Sequence, residues 1–196
     1  FPFGYEIDFT RTQLLEPLRK AMGPKAKLVL RLGNHEWRFL RPNRANAKAL
    51  AEILDTCARR GQTTLEGLLR LNSPKINARL SYNGVDDLYG FTVIHGVKTS
   101  PGAPKANLMR YGSGTSGHSH RSNSYVQVVG GKAAGWWESS CLRTTRKVEY
   151  LVHGDIPDWN NGFLSLTINP KTGLFFCKTH LIVNNTCEFN GTMYSA

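Results

Sequence analysis

Lys27-Leu28-Val29-Leu30-Arg31-Leu32-Gly33-Asn34-His35-Glu36 is the stretch on which the reading of this chain turns. Four aliphatic residues in a run of six, closed by glycine, have the length and composition of a β-strand rather than a helix. The polar residues then come together, immediately after the strand. The same arrangement occurs twice more. Phe91-Thr92-Val93-Ile94 runs into His95-Gly96, and the segment 112–117 leads into His118-Ser119-His120-Arg121. In open α/β sheets, sites gather at strand C-termini, where loops vary while the strands hold them rigidly. Residues serving one site must converge, so 27–32 and 91–94 are expected to be neighbouring buried strands ending on the same edge.

Helices are expected between these strands. Leu14, Leu15, Leu18 and Met22 fall at helical spacing in 11–22, closed by Gly23-Pro24. Ala47, Leu50, Ala51, Leu54 and Cys57 line one face of 44–60, which Gly61 stops. Thr63 with Glu66 reads as a capping box for a short helix through Leu71. A further helix is expected over 103–111. Beyond it the chain turns strand-rich, at 125–129, 163–168 and 174–177, with turns at Gly130-Gly131 and 169–173. Strands alternating with helices, then a strand-rich tail, indicate an α/β fold with sheets packed between helices.

Imidazole nitrogens and an amide oxygen suit Zn, Mn or Fe, and Gly33, Gly96 and Gly117 permit sharp turns beside such ions. Each fragment alone is common; the order of the three carries the information. G-N-H-E at 33–36, H-G at 95–96 and G-H-S-H at 117–120 resemble the third, fourth and fifth motifs of the calcineurin-like metallophosphoesterase family. The resemblance implies a single domain over 1–196, the later part of an αββα sandwich of two mixed sheets flanked by helices.

It also implies metal-dependent hydrolysis of phosphodiesters with two divalent ions, Mn, Zn or Fe, as cofactors. Ions about 4 Å apart clamp the phosphate and activate water between them. Asn34, His95 and His118 would bind one ion and His120 the other. Asn34 would also help hold the phosphate, and His35 would protonate the leaving oxygen or orient the phosphate. Glu36 would orient His35 or its loop. Arg38 and Arg121 are candidate phosphate contacts, with solvated basic residues as the alternative reading. Glu138, Cys141-Leu142, Tyr150 and 159–163 (W-N-N-G-F) are similar to the region after the last motif in phage and bacterial members.

One departure bears on activity. The family's early D-x-H and G-D motifs are absent, and only Glu6 and Asp8 precede the first helix as acids. The chain reads as starting just downstream of the bridging aspartate, so by itself it is expected to be weak or inactive. The missing initiator methionine agrees with this.

The chain has 196 residues and a net charge of +11. A field of that sign attracts polyanions, nucleic acid foremost; the alternative reading is a solvated basic surface or an imbalance set by acidic residues in a missing segment. The expected partner is a phosphate-ester substrate, DNA or RNA among them, with no membrane. No apolar run approaches the roughly 20 residues of a membrane span, Phe1 to Glu6 lacks the features of a signal peptide, and a cytoplasmic location is expected. Cys57, Cys141, Cys177 and Cys187 contain no C-x-x-C pair and read as free thiols. Trp136, Trp137 and Trp159 read as core, with base stacking the alternative. Two other functions stay open: a phosphomonoesterase or protein phosphatase, and a nucleic-acid-binding or virion-associated protein of the same fold without catalysis.

Overall fold

A computed structural model describes residues 3–34, 36–40, 47–142 and 158–195. The fold is mixed α/β, and its internal contacts group it into two compact units, 1–83 and 84–196. No helix among the described residues is long and apolar enough to cross a membrane.

The first unit opens on a continuous helical stretch. It comprises α1 (Phe3–Phe9), a π-helical segment (Thr10–Leu15) and α2 (Glu16–Met22). Gly23, at φ 72°, ends the stretch as the sequence suggests. The helical start comes earlier than residue 11, because Ile7 joins Leu15 in the core and extends the buried face toward the N-terminus. Then follow β1 (Leu28–Arg31), α3 (Glu36–Leu40), α4 (Ala47–Arg60), α5 (Leu65–Leu69) and β2 (Ala78–Ser81). Strands β1 and β2 pair in parallel, Leu28 opposite Ala78, with the helices in the crossover. Leu65, Leu68, Leu69, Leu71 and Ile76 pack with Leu32 and Leu80 into one core cluster. The α5 cap is Thr64, whose side chain accepts from the Gly67 amide, rather than Thr63.

Arg19 fastens this unit. It is buried, and its guanidinium donates to the carbonyls of Ile76 (2.7 Å), Asn77 (2.8 Å), Gly23 (2.9 Å) and Ala26 (2.7 Å). One side chain thereby ties the end of α2 to the segments entering β1 and β2.

The second unit holds β3 (Val85–Leu88), β4 (Phe91–Ile94), α6 (Ala103–Tyr111), β5 (Gly114–Ser116), β6 (Ser122–Val129) and β7 (Lys132–Ser139). These strands form one sheet in the order β3-β4-β5-β7-β6, parallel from β4 through β5 to β7. Gly130 and Gly131, both at positive φ, make the two-residue β6–β7 turn. A second, antiparallel sheet follows: β8 (Gly162–Ile168), β9 (Phe175–Val183), β10 (Thr186–Phe189) and β11 (Thr192–Ser195). Phe175 of β9 meets Phe91 of β4 edge-on, with ring centroids 5.0 Å apart, and lies 5.9 Å from Trp137. Trp136 is fully buried and donates to Ser116 Oγ at 2.9 Å. Gly114 is needed beside it: a Cβ there would sit 2.3 Å from the Thr92 carbonyl and 2.7 Å from the Trp136 ring.

The expected pairing of 27–32 with 91–94 does not hold. Strand β1 pairs with β2, and β4 pairs with β3 and β5. The polar spacing of Ala78-Arg79-Leu80-Ser81 concealed the strand that takes the place beside β1. Nor is β1 wholly buried, since Val29 is exposed.

Candidate metal centre

His95 follows β4 and His118 follows β5, and those strands are adjacent and parallel, with Ile94 opposite Ser116. Parallel pairing puts both C-terminal ends on one edge, so the two imidazoles meet. His95 Nε2 lies 3.2 Å from His118 Nδ1, and the rings stand edge-to-face with centroids 5.0 Å apart. One local feature makes room. Gly96 sits at φ 90°, where a Cβ would come within 3.1 Å of Ser116 Cβ.

The 117–121 loop is held in an uncommon backbone conformation. His118 (φ 69°) and His120 (φ 59°) are both left-handed, which L-residues adopt at a cost. The segment 158–162 holds the loop in this shape. The Asn160 amide donates to the His120 carbonyl at 2.9 Å, and Asn160 Oδ1 accepts from the Ser122 amide at 2.9 Å. The Trp159 ring meets His120 edge-to-face, centroids 4.4 Å apart. Trp159 is thus a partner of His120, and Trp136 is core. Arg121 pairs with Asp158 at 2.6 Å and donates to the Thr99 carbonyl, so its guanidinium is held within the fold.

Glu138 lies one layer down. It shares the inward face of β7 with Trp136, and it is 1 % exposed. Burial pushes its carboxyl above the usual value of 4.5, outweighing the opposite pull of Ser119, Asn123 and Arg121; Asp158 adds to the rise. Ser119 and Asn123 face the carboxylate, yet neither carboxylate oxygen has a partner at hydrogen-bond geometry. The folded state therefore holds this proton more tightly than the unfolded chain. Its contribution to stability is full below pH 4.5 and is lost as pH rises through the raised value. Glu138→Gln is expected to be more stable than wild type at pH 7, with the difference vanishing at pH 4. Urea melts at the two pH values check this, and a Gln variant weaker at pH 7 would contradict it. Sequence reading assigned Glu138 no role; the signal was an acid at an inward strand position, between Trp136 and Ser140.

In the first unit, Asn34 occupies the turn after β1. Glu36 closes that turn, its carboxylate accepting from the Gly33 amide at 2.8 Å, so it braces the loop. His35 and Tyr150 lie outside the described residues, as does the side chain of Arg38.

The donor chemistry of His95 and His118 fits a divalent ion. Metal–nitrogen bonds of about 2.0–2.1 Å put neighbouring ligands of a tetrahedral ion about 3.3 Å apart, close to the 3.2 Å between these nitrogens. The same separation lets one imidazole donate to the other when no ion is bound. Among the described residues, no group of three or more His, Cys, Asp or Glu side chains is gathered to hold a metal, so His120 does not join the pair as a third. The four cysteines are free thiols, and burial raises Cys177 to about 11. Comparison with protein-family models, with curated proteins and with solved structures found no match for this chain.

Proposed function

We propose that the chain supplies the histidine-bearing part of a metal-dependent phosphoesterase site that hydrolyses phosphodiesters, nucleic acid among them. The observation that carries this reading is the pair His95 Nε2 and His118 Nδ1, 3.2 Å apart at the ends of adjacent parallel strands. A two-metal αββα sandwich is part of the proposal; the mixed α/β architecture agrees with it.

On this reading His95 and His118 hold one ion, with Asn34 as a further ligand, and His120 serves the second. The ions, Mn, Zn or Fe, supply charge neutralisation at the phosphate and activation of water when bound. The chain's own residues position these groups. Asn160 and Trp159 fix the left-handed loop carrying His118 and His120, and Asp158 holds Arg121 beside it. His35 is the proposed proton donor to the leaving oxygen. The remaining ligands belong to the D-x-H and G-D motifs that the resemblance requires.

Nitrogen-15 NMR of histidine-labelled protein tests the core of this. Titration of the 196-residue chain with Zn²⁺ is expected to shift His95 Nε2 and His118 Nδ1 together, before any other imidazole nitrogen. Shifts confined to other histidines at saturating metal would sink the reading.

A further inference from the structure

The chain's charge is unevenly placed. Residues 1–83 hold 15 of the 25 Lys and Arg against 7 of the 14 Asp and Glu, a net +8 of the chain's +11. Within that unit, Thr12, Glu16, Pro17, Arg19, Lys20, Pro74 and Lys75 line an open groove of about 540 Å³. Its one carboxylate, Glu16, lies 3.9 Å from Arg11. Arg19 at its floor spends its donors on four carbonyls, which leaves its positive charge in place. Because Arg19 binds the carbonyls of both Ala26 and Ile76, it draws the segments bearing Lys25, Lys27 and Lys75 together beside Lys20. Arg79 extends the row along β2, opposite Val29. Lys20, Lys25, Lys27, Lys75 and Arg79 are all exposed, and none has an acidic partner among the described residues.

We infer that this groove and its cationic rim bind the phosphodiester backbone of a nucleic acid strand. Lys20 and Lys75 on the groove, with Lys25, Lys27 and Arg79 on the segments next to it, offer a polyanion several unpaired cations. Release of condensed counterions drives such binding without sequence specificity. A lipid surface fits less well. The exposed apolar residues Leu18 and Met22 share α2 with Lys20, but at 3.6 residues per turn they lie about 200° around the helix from it. A planar bilayer cannot meet both faces together, whereas a phosphodiester strand needs only the cations. This surface does not depend on the histidine pair.

The test uses the whole 196-residue chain and a fluorescein-labelled 20-nucleotide single-stranded DNA, read by anisotropy in EDTA. Wild type binds, and affinity falls with salt. The Lys20→Ala, Lys25→Ala, Lys75→Ala triple variant is expected to bind at least about tenfold more weakly, with a log–log salt slope shallower by about 2, at roughly 0.7 per single-strand phosphate contact. A charge-matched control, Lys132→Ala, Lys171→Ala, Lys178→Ala, lies in the second unit and is expected to bind as wild type does. So is a His95→Ala, His118→Ala variant. Loss of the metal site without loss of DNA binding separates this inference from the proposed chemistry. Equal weakening in both triple variants, no weakening in the first, no binding by wild type, or preference for phosphatidylserine vesicles over DNA would each overturn it. Circular dichroism confirms that every variant is folded.

Discussion

His118→Ala is expected to lower phosphodiester turnover by about a thousandfold, together with a loss of bound metal. The assay pairs hydrolysis of an activated phosphodiester with Mn²⁺ against metal stoichiometry, using a version of the chain extended upstream to include the D-x-H and G-D motifs that the proposed function requires. His118 Nδ1 and His95 Nε2 lie 3.2 Å apart, so removing either takes one of two adjacent imidazoles from the proposed ion and weakens its hold. An ion acting as a Lewis acid contributes several kcal/mol of transition-state stabilisation. Each 1.36 kcal/mol is tenfold in rate, which gives the stated magnitude. His95→Ala is expected to behave alike. His35→Ala provides the contrast: metal retained, kcat lower by ~10²–10⁴, as for loss of a general acid. If His118→Ala keeps its metal and its rate, the proposed centre is wrong. If His35→Ala loses metal instead, the roles are exchanged.

Arg19→Met carries the largest effect expected on stability, about 3–5 kcal/mol, the range for stranding buried partners of a charged group. The methionine fills much of the same volume, so the loss reflects hydrogen bonds rather than a cavity. Four carbonyls from three chain segments lose their donor together. Water can reach some of them, which keeps the cost below four full penalties. Arg19→Lys is expected to recover little, because an ammonium cannot present the planar fork that reaches four acceptors. Urea unfolding followed by far-ultraviolet circular dichroism reports the loss. Hydrogen exchange at Leu28–Arg31 and Ala78–Ser81 gives a second readout. A urea midpoint within error of the parent would show that the fork is dispensable.

Much of the architecture is local, and local features are legible in sequence. Gly23 and Gly61 stop their helices, as their positive φ values require. The segments 91–94 and 103–111 form the expected strand and helix because an apolar run and a Pro-Gly start suffice to specify them. Gly130-Gly131 turns the β6–β7 hairpin because glycine adopts two successive positive φ values without steric cost. Strands β2, β3, β7, β10 and β11 are not legible in the same way. Their sequences mix polar and small residues with few apolar ones, so β2 becomes a strand by pairing with distant β1, and the other four by pairing in hairpins with adjacent strands.

For the candidate site, the sequence determined which residue types follow which strands: His95 after β4, His118 and His120 after β5. Tertiary structure alone decided their relations, because pairing partners are chosen by packing across the chain rather than by neighbours along it. It put β4 beside β5, which brings His95 and His118 to contact, and it gave β1 to β2. It set Trp159 against His120 and turned Arg121 toward Asp158, contacts spanning dozens of residues that no local pattern encodes. It also buried Glu138 beneath the loop, where desolvation rather than residue type fixes the behaviour of its carboxyl.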